Sequence, residues 1–122
     1  MMLHCKILWV ENHAAFARIA VKQFLHQHTV TVVPSIATAR QTLSNGDFDV
    51  ILVDYDLDDG KGTELLMEIC ARSPNAKVIA TSSHDRGNSL LLAAGAQSVC
   101  SKMAFSKISQ VIHEVLGSSA DA

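Results

Sequence analysis

The stretch Val50-Ile51-Leu52-Val53-Asp54 decides the fold class expected of this chain of 122 residues. Four consecutive apolar residues without alternation are typical of a strand that is buried on both faces, as in a parallel sheet. One carboxylate, Asp54, leaves the end of this strand, and a polar loop follows it with Asp56, Asp58, Asp59 and Gly60. Because sites in open α/β sheets lie at the carboxyl ends of the strands, this loop is interpreted as part of a functional site.

The same pattern recurs along the chain and predicts five repeats of strand and helix. The other strands are expected at Cys5–Val10, Val30–Val33, Val78–Thr81 and Ser98–Cys100. Apolar residues spaced three and four apart predict the helices. These are a stripe from Ala14 to His28, a helix capped by Ser35 and stopped by Gly46, then Glu64–Arg72, Asn88–Ala94, and Phe105–Leu116 closed by Gly117. Strict alternation predicts an α/β domain with a five-stranded parallel sheet, doubly wound as (βα)5.

Length and composition bound the class of protein. The predicted helices and strands form one domain over residues 1–117, and residues 118–122 are expected to be a frayed tail or the start of a linker. A net charge of −2 with scattered Lys and Arg argues against nucleic acid or a membrane surface as partner. The widely spaced Cys5, Cys70 and Cys100 are expected to be reduced core residues of a cytoplasmic protein.

Polar residues follow four of the predicted strands and are expected to meet at one edge of the sheet. They are Glu11 and Asn12 after the first strand, Asp54 after the third, Ser82 after the fourth and Lys102 after the fifth. Carboxylates can hold Mg²⁺, and an aspartate can attack phosphorus to form an acyl phosphate. A hydroxyl and an ammonium group can then stabilise charge on the phosphoryl oxygens.

Several motifs in this order resemble the receiver domain of two-component response regulators, which has a flavodoxin-like fold. They are Lys6-Ile7-Leu8-Trp9-Val10-Glu11-Asn12, Asp49-Val50-Ile51-Leu52-Val53-Asp54 with Gly62 eight residues later, Val78-Ile79-Ala80-Thr81-Ser82-Ser83, Ala93-Ala94-Gly95-Ala96, and Ser101-Lys102. The resemblance covers essentially the whole chain.

The resemblance implies a role for each residue of the edge. Asp54 would be the phosphoacceptor, while Ser82 and Lys102 would bind the phosphoryl group and report its presence. Mg²⁺ would be held by Glu11, Asn12, Asp54 and the backbone carbonyl of Asp56.

The resemblance also implies partners. The phosphoryl donor would be a sensor histidine kinase or a histidine phosphotransfer protein. The output contact would lie on the fourth helix, the fifth strand and the fifth helix, in a monomer or a weak dimer.

Four positions depart from the family's pattern. Asn12 replaces a metal-binding aspartate and is expected to lower the affinity for Mg²⁺, for which Asp56 and Asp58 would compensate. Asp58 stands in place of a proline, and Met103 replaces the proline after the lysine, so a trans bond with a shifted loop or a strained bond is expected there. Val99 replaces an aromatic residue of the switch.

Other interpretations remain beside this one. The same fold can act as a pseudo-receiver, a protein-interaction module that works without phosphorylation. An acyl-phosphate phosphatase of the haloacid-dehalogenase type would also use an Asp-x-Asp motif, although no acidic pair follows Lys102 to hold its metal. An EF-hand is disfavoured because its glycine and glutamate would be out of register. His84, two residues after Ser82, is a candidate modulator of phosphoaspartate hydrolysis.

Overall fold

The computed structural model describes the backbone of residues 4–120 and the side chains of residues 4–117. Its elements are, in chain order, β1 (Lys6–Val10), α1 (Ala14–Phe24), β2 (Thr29–Val33), α2 (Ile36–Ser44), β3 (Val50–Val53), β4 (Asp56–Leu57), β5 (Gly60–Lys61), α3 (Gly62–Arg72), β6 (Val78–Ala80), α4 (Asp85–Ala94), β7 (Ser98–Val99), a 3-10 helix (Lys102–Lys107) and α5 (Ile108–Ala120).

Five of the strands form one parallel sheet in the order β2-β1-β3-β6-β7. The predicted doubly wound α/β fold is therefore confirmed, and each of its five strands lies within one residue of its expected bounds. The order reverses at β1, from which the chain crosses outward to β2 and then back to β3. Such a reversal opens a crevice at the carboxyl edge of the sheet, between the loops that follow β1 and β3.

The apolar strand runs are explained by two cores, one on each face of the sheet. Ile7, Trp9, Val50 and Leu52 point to the face that α1 and α5 cover. Their neighbours Leu8, Val10, Ile51 and Val53 point to the opposite face, covered by α2, α3 and α4. Because successive side chains of a strand alternate between faces, both faces need apolar residues and the sequence loses its alternation.

Trp9 and two of the three cysteines lie in the core, whereas Cys70, also expected there, is half-buried. Trp9 is fully buried and stacks on Phe105, with ring centroids 4.8 Å apart. Cys5, Cys70 and Cys100 are free, and two of them are buried. Among residues 4–120, no helix combines the length and the apolar composition that a membrane crossing requires.

The structure corrects several predicted boundaries. The fourth helix begins at Asp85 rather than Asn88, because the ring of His84 caps it by accepting the N–H of Gly87. The last helix was expected at Phe105–Leu116, but a 3-10 helix precedes α5, and α5 continues past the predicted stop at Gly117 to Ala120. Gly117 is exposed, and a side chain there would meet nothing within 4 Å, so no contact forces the helix to end. The predicted tail lies partly inside α5, and residues 121–122 are outside the described part.

The peptide bond after Lys102 is trans, which is one of the two forms expected there. No cis peptide bond occurs between residues 4 and 120, so the Lys102–Met103 bond is trans. The Ser101 hydroxyl accepts the N–H of Met103, and the 3-10 helix begins at Lys102.

Candidate functional site at the carboxyl edge of the sheet

The structure brings three of the predicted site residues into direct contact. Lys102 Nζ donates to Glu11 Oε2 at 2.9 Å and to Asp54 Oδ2 at 3.2 Å, and it lies 2.8 Å from Glu11 Oε1 in an ion pair. Both carboxylates are shielded from solvent, since the side chains of Glu11 and Asp54 are 0% and 5% exposed. The side chain of Lys102 is 10% exposed. The centre of the site is therefore one ammonium group between two buried carboxylates.

The charge balance of this centre perturbs Asp54. Burial raises the pKa of the Asp54 carboxyl, and the neighbouring Glu11 raises it further. The Lys102 ammonium and a hydrogen bond from the Tyr55 N–H to Asp54 Oδ1 (2.9 Å) partly offset both effects. Two carboxylates share one cation, so a second cation near the pair would relieve their repulsion.

Gly62 permits the close packing behind Asp54. A Cβ atom at Gly62 would lie 2.0 Å from the backbone oxygen of Asp54, which leaves no room for any other residue. The Gly62 N–H instead donates to the Tyr55 carbonyl at 2.6 Å. The first turn of α3 is thereby fixed against the end of β3, and with it the position of Asp54.

Ser82 is buried at the end of β6 and is held by a residue that the sequence did not single out. Asn88 Oδ1 accepts the Ser82 N–H at 2.8 Å, and Asn88 Nδ2 donates to the Ser82 carbonyl at 3.1 Å. The same carbonyl also accepts the N–H of Lys102 at 3.2 Å. Asn88 thus connects α4 to the strand ends that carry both the hydroxyl and the ammonium group.

The Ser82 hydroxyl lies in a crowded corner of the site. Its Oγ accepts the His84 N–H at 3.3 Å, and a Cβ atom on Gly87 would lie 2.7 Å from it. Thr81, the residue before Ser82, is fully buried and its hydroxyl has no hydrogen-bond partner among residues 4–117.

The other predicted site residues form the outer rim. Asn12 Nδ2 donates to Asp58 Oδ1 at 3.4 Å, which ties the loop after β1 to the loop after β3. The Asp56 carboxylate is exposed and pairs with Lys61 and with His84 Nε2, the latter at 3.3 Å. These two contacts lower the pKa of Asp56, the Lys61 contact more strongly. The Asp56 and Asp58 side chains therefore contact other residues of the rim.

Asp59 serves a structural purpose in the acidic loop. Its two carboxylate oxygens accept the N–H groups of Ile36 and Ala37, at 2.7 and 3.0 Å, at the start of α2. These hydrogen bonds lower the pKa of Asp59. Together with the predicted N-cap Ser35, whose Oγ accepts the Thr38 N–H, Asp59 satisfies the free donors of this helix end.

His13, which no motif of the sequence singled out, also joins the site. Its backbone N–H donates to Glu11 Oε2 at 3.0 Å, and its ring Nδ1 lies 3.1 Å from the same oxygen. Nδ1 is also 3.5 Å from Lys102 Nζ. Its position two residues after Glu11 and directly before α1 is the feature of the sequence that could have indicated this role.

The fold and this site define a class of protein: an α/β domain with a buried, cation-paired aspartate at the carboxyl edge of its sheet. The sequence matches the response regulator receiver domain family over residues 7–113. The chain therefore belongs to that family, which acts in two-component signalling. Receiver domains bind Mg²⁺ at an acidic pocket and interact with kinases or phosphotransfer proteins.

Solved structures agree with the fold. A receiver domain protein from Methanospirillum hungatei JF-1, described as CheY-like, is 21% identical, with a TM-score of 0.75 over 93% of this chain and 97% of its own. NtrX from Brucella abortus is 18% identical, with a TM-score of 0.86, and the match covers 97% of this chain but 28% of NtrX. TrrA from Thermotoga maritima, solved in complex with Mg²⁺-BeF, is 17% identical, with a TM-score of 0.81 over 90% of this chain and 97% of its own. A comparison with curated proteins found no match.

Proposed function

We propose that Asp54 accepts a phosphoryl group from a phosphohistidine of a sensor histidine kinase or a histidine phosphotransfer protein. In this step the bond from phosphorus to the imidazole nitrogen breaks, and its electron pair returns to the ring. A carboxylate oxygen of Asp54 forms the new bond. The observation that carries the proposal is the Lys102 ammonium, 3.2 Å from Asp54 Oδ2, which supplies positive charge where phosphoryl oxygens would gather.

A divalent cation belongs to this proposal, and the residues present fit one. Glu11 and Asp54 offer buried carboxylate oxygens beside the reacting atom. Asn12 Oδ1 is shielded from solvent and accepts no hydrogen bond from residues 4–117, so it is free to act as a neutral ligand. With the backbone carbonyl of Asp56, these residues would hold Mg²⁺, which would neutralise charge on the phosphoryl oxygens. Because Asn12 brings no charge, the affinity would be lower than with an aspartate.

Phosphorylation would act on Ser82 and Lys102 and through them on a protein-binding surface. The new group would add about one unit of negative charge and three acceptor oxygens. Lys102 would exchange part of its contact with Glu11 for these oxygens. Its backbone and that of Ser82 are linked through Asn88 to α4, so the rearrangement would reach that helix.

The output surface in this proposal consists of α4, β7 and the segment that leads into α5. Leu92 and Met103 are exposed large apolar side chains on this surface, with Met103 83% exposed. They would contact an output domain or a separate partner protein in the cytoplasm. Val99 is half-buried on β7 and has no aromatic ring to swing inward, so the relay would run through Lys102 and Asn88.

A second candidate is a pseudo-receiver that binds partners without phosphorylation. Asn12 and the near-complete burial of Asp54, which is 3% exposed, favour it. The two candidates differ in one measurable respect, since a pseudo-receiver gains no phosphoryl group.

Intact mass spectrometry after incubation with Mg²⁺ and a small phosphodonor separates the two candidates. The proposal predicts one added phosphoryl group in the native protein and none in Asp54→Asn. A native protein that is folded by circular dichroism yet gains no mass at any Mg²⁺ concentration would favour the pseudo-receiver.

A further inference from the structure

We propose that His13 turns the cation site into a mixed nitrogen and oxygen site, suited to a borderline transition ion such as Zn²⁺ or Co²⁺ as well as to Mg²⁺. Glu11, His13 and Asp54 would be its ligands. The inference extends the proposed function by naming the class of cation that the same site selects.

The first observation is the spacing of the ligand atoms. One carboxylate oxygen from Glu11, one from Asp54 and the ring Nδ1 of His13 all lie within 4.8 Å of one another. Tetrahedral zinc ligands lie about 2.0–2.2 Å from the ion and hence about 3.4 Å from one another. Glu11 Oε2 and His13 Nδ1 are already 3.1 Å apart. Side-chain shifts of at most about 1.4 Å would bring all three atoms onto one ion.

The second observation is the chemistry of the donor set. Mg²⁺ prefers oxygen ligands, whereas imidazole nitrogen suits Zn²⁺, Co²⁺ and Ni²⁺. The site has two carboxylates at its centre with an imidazole in reach, and the uncharged amide of Asn12 follows Glu11 in the chain. Asn12 Oδ1 is buried without a hydrogen-bond partner among residues 4–117 and can supply a fourth, neutral ligand.

Lys102 is the resident cation with which the metal would compete. Its Nζ contacts all three ligand residues, at 2.8 Å from Glu11, 3.2 Å from Asp54 and 3.5 Å from His13. An ion that binds all three must displace the ammonium group from Glu11. Metal binding and the Glu11–Lys102 ion pair therefore exclude one another, and removal of the ammonium charge should tighten metal binding.

The test measures metal binding directly by isothermal titration with Zn²⁺ and with Mg²⁺, and by the visible absorption of bound Co²⁺. Because most sites bind first-row ions more tightly than Mg²⁺, the diagnostic result is the dependence on His13. His13→Gln should weaken Zn²⁺ binding at least about tenfold and change the Co²⁺ spectrum, with little effect on Mg²⁺. His113→Gln, at an exposed histidine of α5, is the matched control and should bind all three ions as the native protein does.

Lys102→Met provides the second arm and should bind Zn²⁺ more tightly than the native protein. The inference is overturned if His13→Gln binds Zn²⁺ as tightly as the native protein, or if it loses Zn²⁺ and Mg²⁺ binding equally. Phosphorylation of the His13→Gln variant in the presence of Mg²⁺ distinguishes failure of this inference from failure of the proposed function. A variant that gains the phosphoryl group normally but keeps native Zn²⁺ binding refutes the metal inference alone.

Discussion

Replacement of Lys102 by methionine should strongly destabilise the protein, and the loss should depend on pH. Lys102 is the cation between Glu11 and Asp54, and both carboxylates are buried. Methionine keeps much of the length and the apolar stem of lysine but leaves the two charges uncompensated. Removal of one partner of a buried ion pair costs about 3–5 kcal/mol, so we expect a loss of about 3 kcal/mol at pH 8. Domains of this size are stable by roughly 5–15 kcal/mol, so the variant should still fold.

Urea unfolding curves at pH 8 and pH 5 measure this loss. It should be smaller at pH 5, because the raised pKa of Asp54 allows that carboxyl to take up a proton and remove one of the charges. The double variant Lys102→Met/Asp54→Asn should recover part of the lost stability at pH 8, because only Glu11 then remains as an uncompensated buried charge. Lys107→Met, at an exposed lysine of the same 3-10 helix, is the control and should change stability by less than about 0.5 kcal/mol. A loss below about 1 kcal/mol at pH 8, or no recovery in the double variant, would refute the reasoning.

Three further predictions concern single residues. Asp54→Asn should raise the thermal midpoint at pH 7.5 by a few degrees (about 3 °C). The folded pKa of Asp54 lies above its unfolded value, so the ionised carboxylate destabilises the fold at that pH. An unchanged or lower midpoint would contradict this. Burial lowers the pKa of His28, whose Nδ1 accepts the Cys5 N–H at 2.9 Å. The stability that neutral His28 contributes is present above the unfolded pKa of about 6.5 and is lost as the pH falls through the lower folded pKa. Urea midpoints of the native protein should therefore drop between pH 7.5 and 5.5, and His28→Gln should flatten that drop. Asn88→Ala removes two hydrogen bonds from the buried backbone of Ser82 and should lower the free energy of unfolding in urea by about 2 kcal/mol. A loss within experimental error would show that Asn88 does not position Ser82.

The strands were predictable because each is a short apolar run buried on both faces. The hairpin of β4 and β5 was not predicted, since two-residue strands that carry Asp56 and Lys61 have no periodicity to detect. Gly117 was wrongly expected to end the last helix. A glycine in an exposed helix costs about 1 kcal/mol, which the packing of Val115 and its neighbours on the core outweighs.

The centre of the site was predictable for the same reason as the sheet. Glu11 and Asp54 directly follow strands and Lys102 lies three residues after β7, and parallel strands bring such positions to one edge. Asn88 could not be found in this way because it lies inside α4, and the position of His13 after β1 does not by itself show that its ring turns back to Glu11. Their roles depend on how α4 and the loop before α1 pack against the sheet, which no local pattern records.

The central claim is that Asp54 itself carries the phosphoryl group, and borohydride reduction followed by peptide mass spectrometry tests it most directly. Reduction converts an aspartyl phosphate to homoserine and so marks the residue that was modified. After treatment with a phosphodonor and a divalent cation, we expect homoserine at position 54 and at no other aspartate. Homoserine at Asp56 or Asp58, or at no position in a folded and metal-loaded protein, would contradict the account.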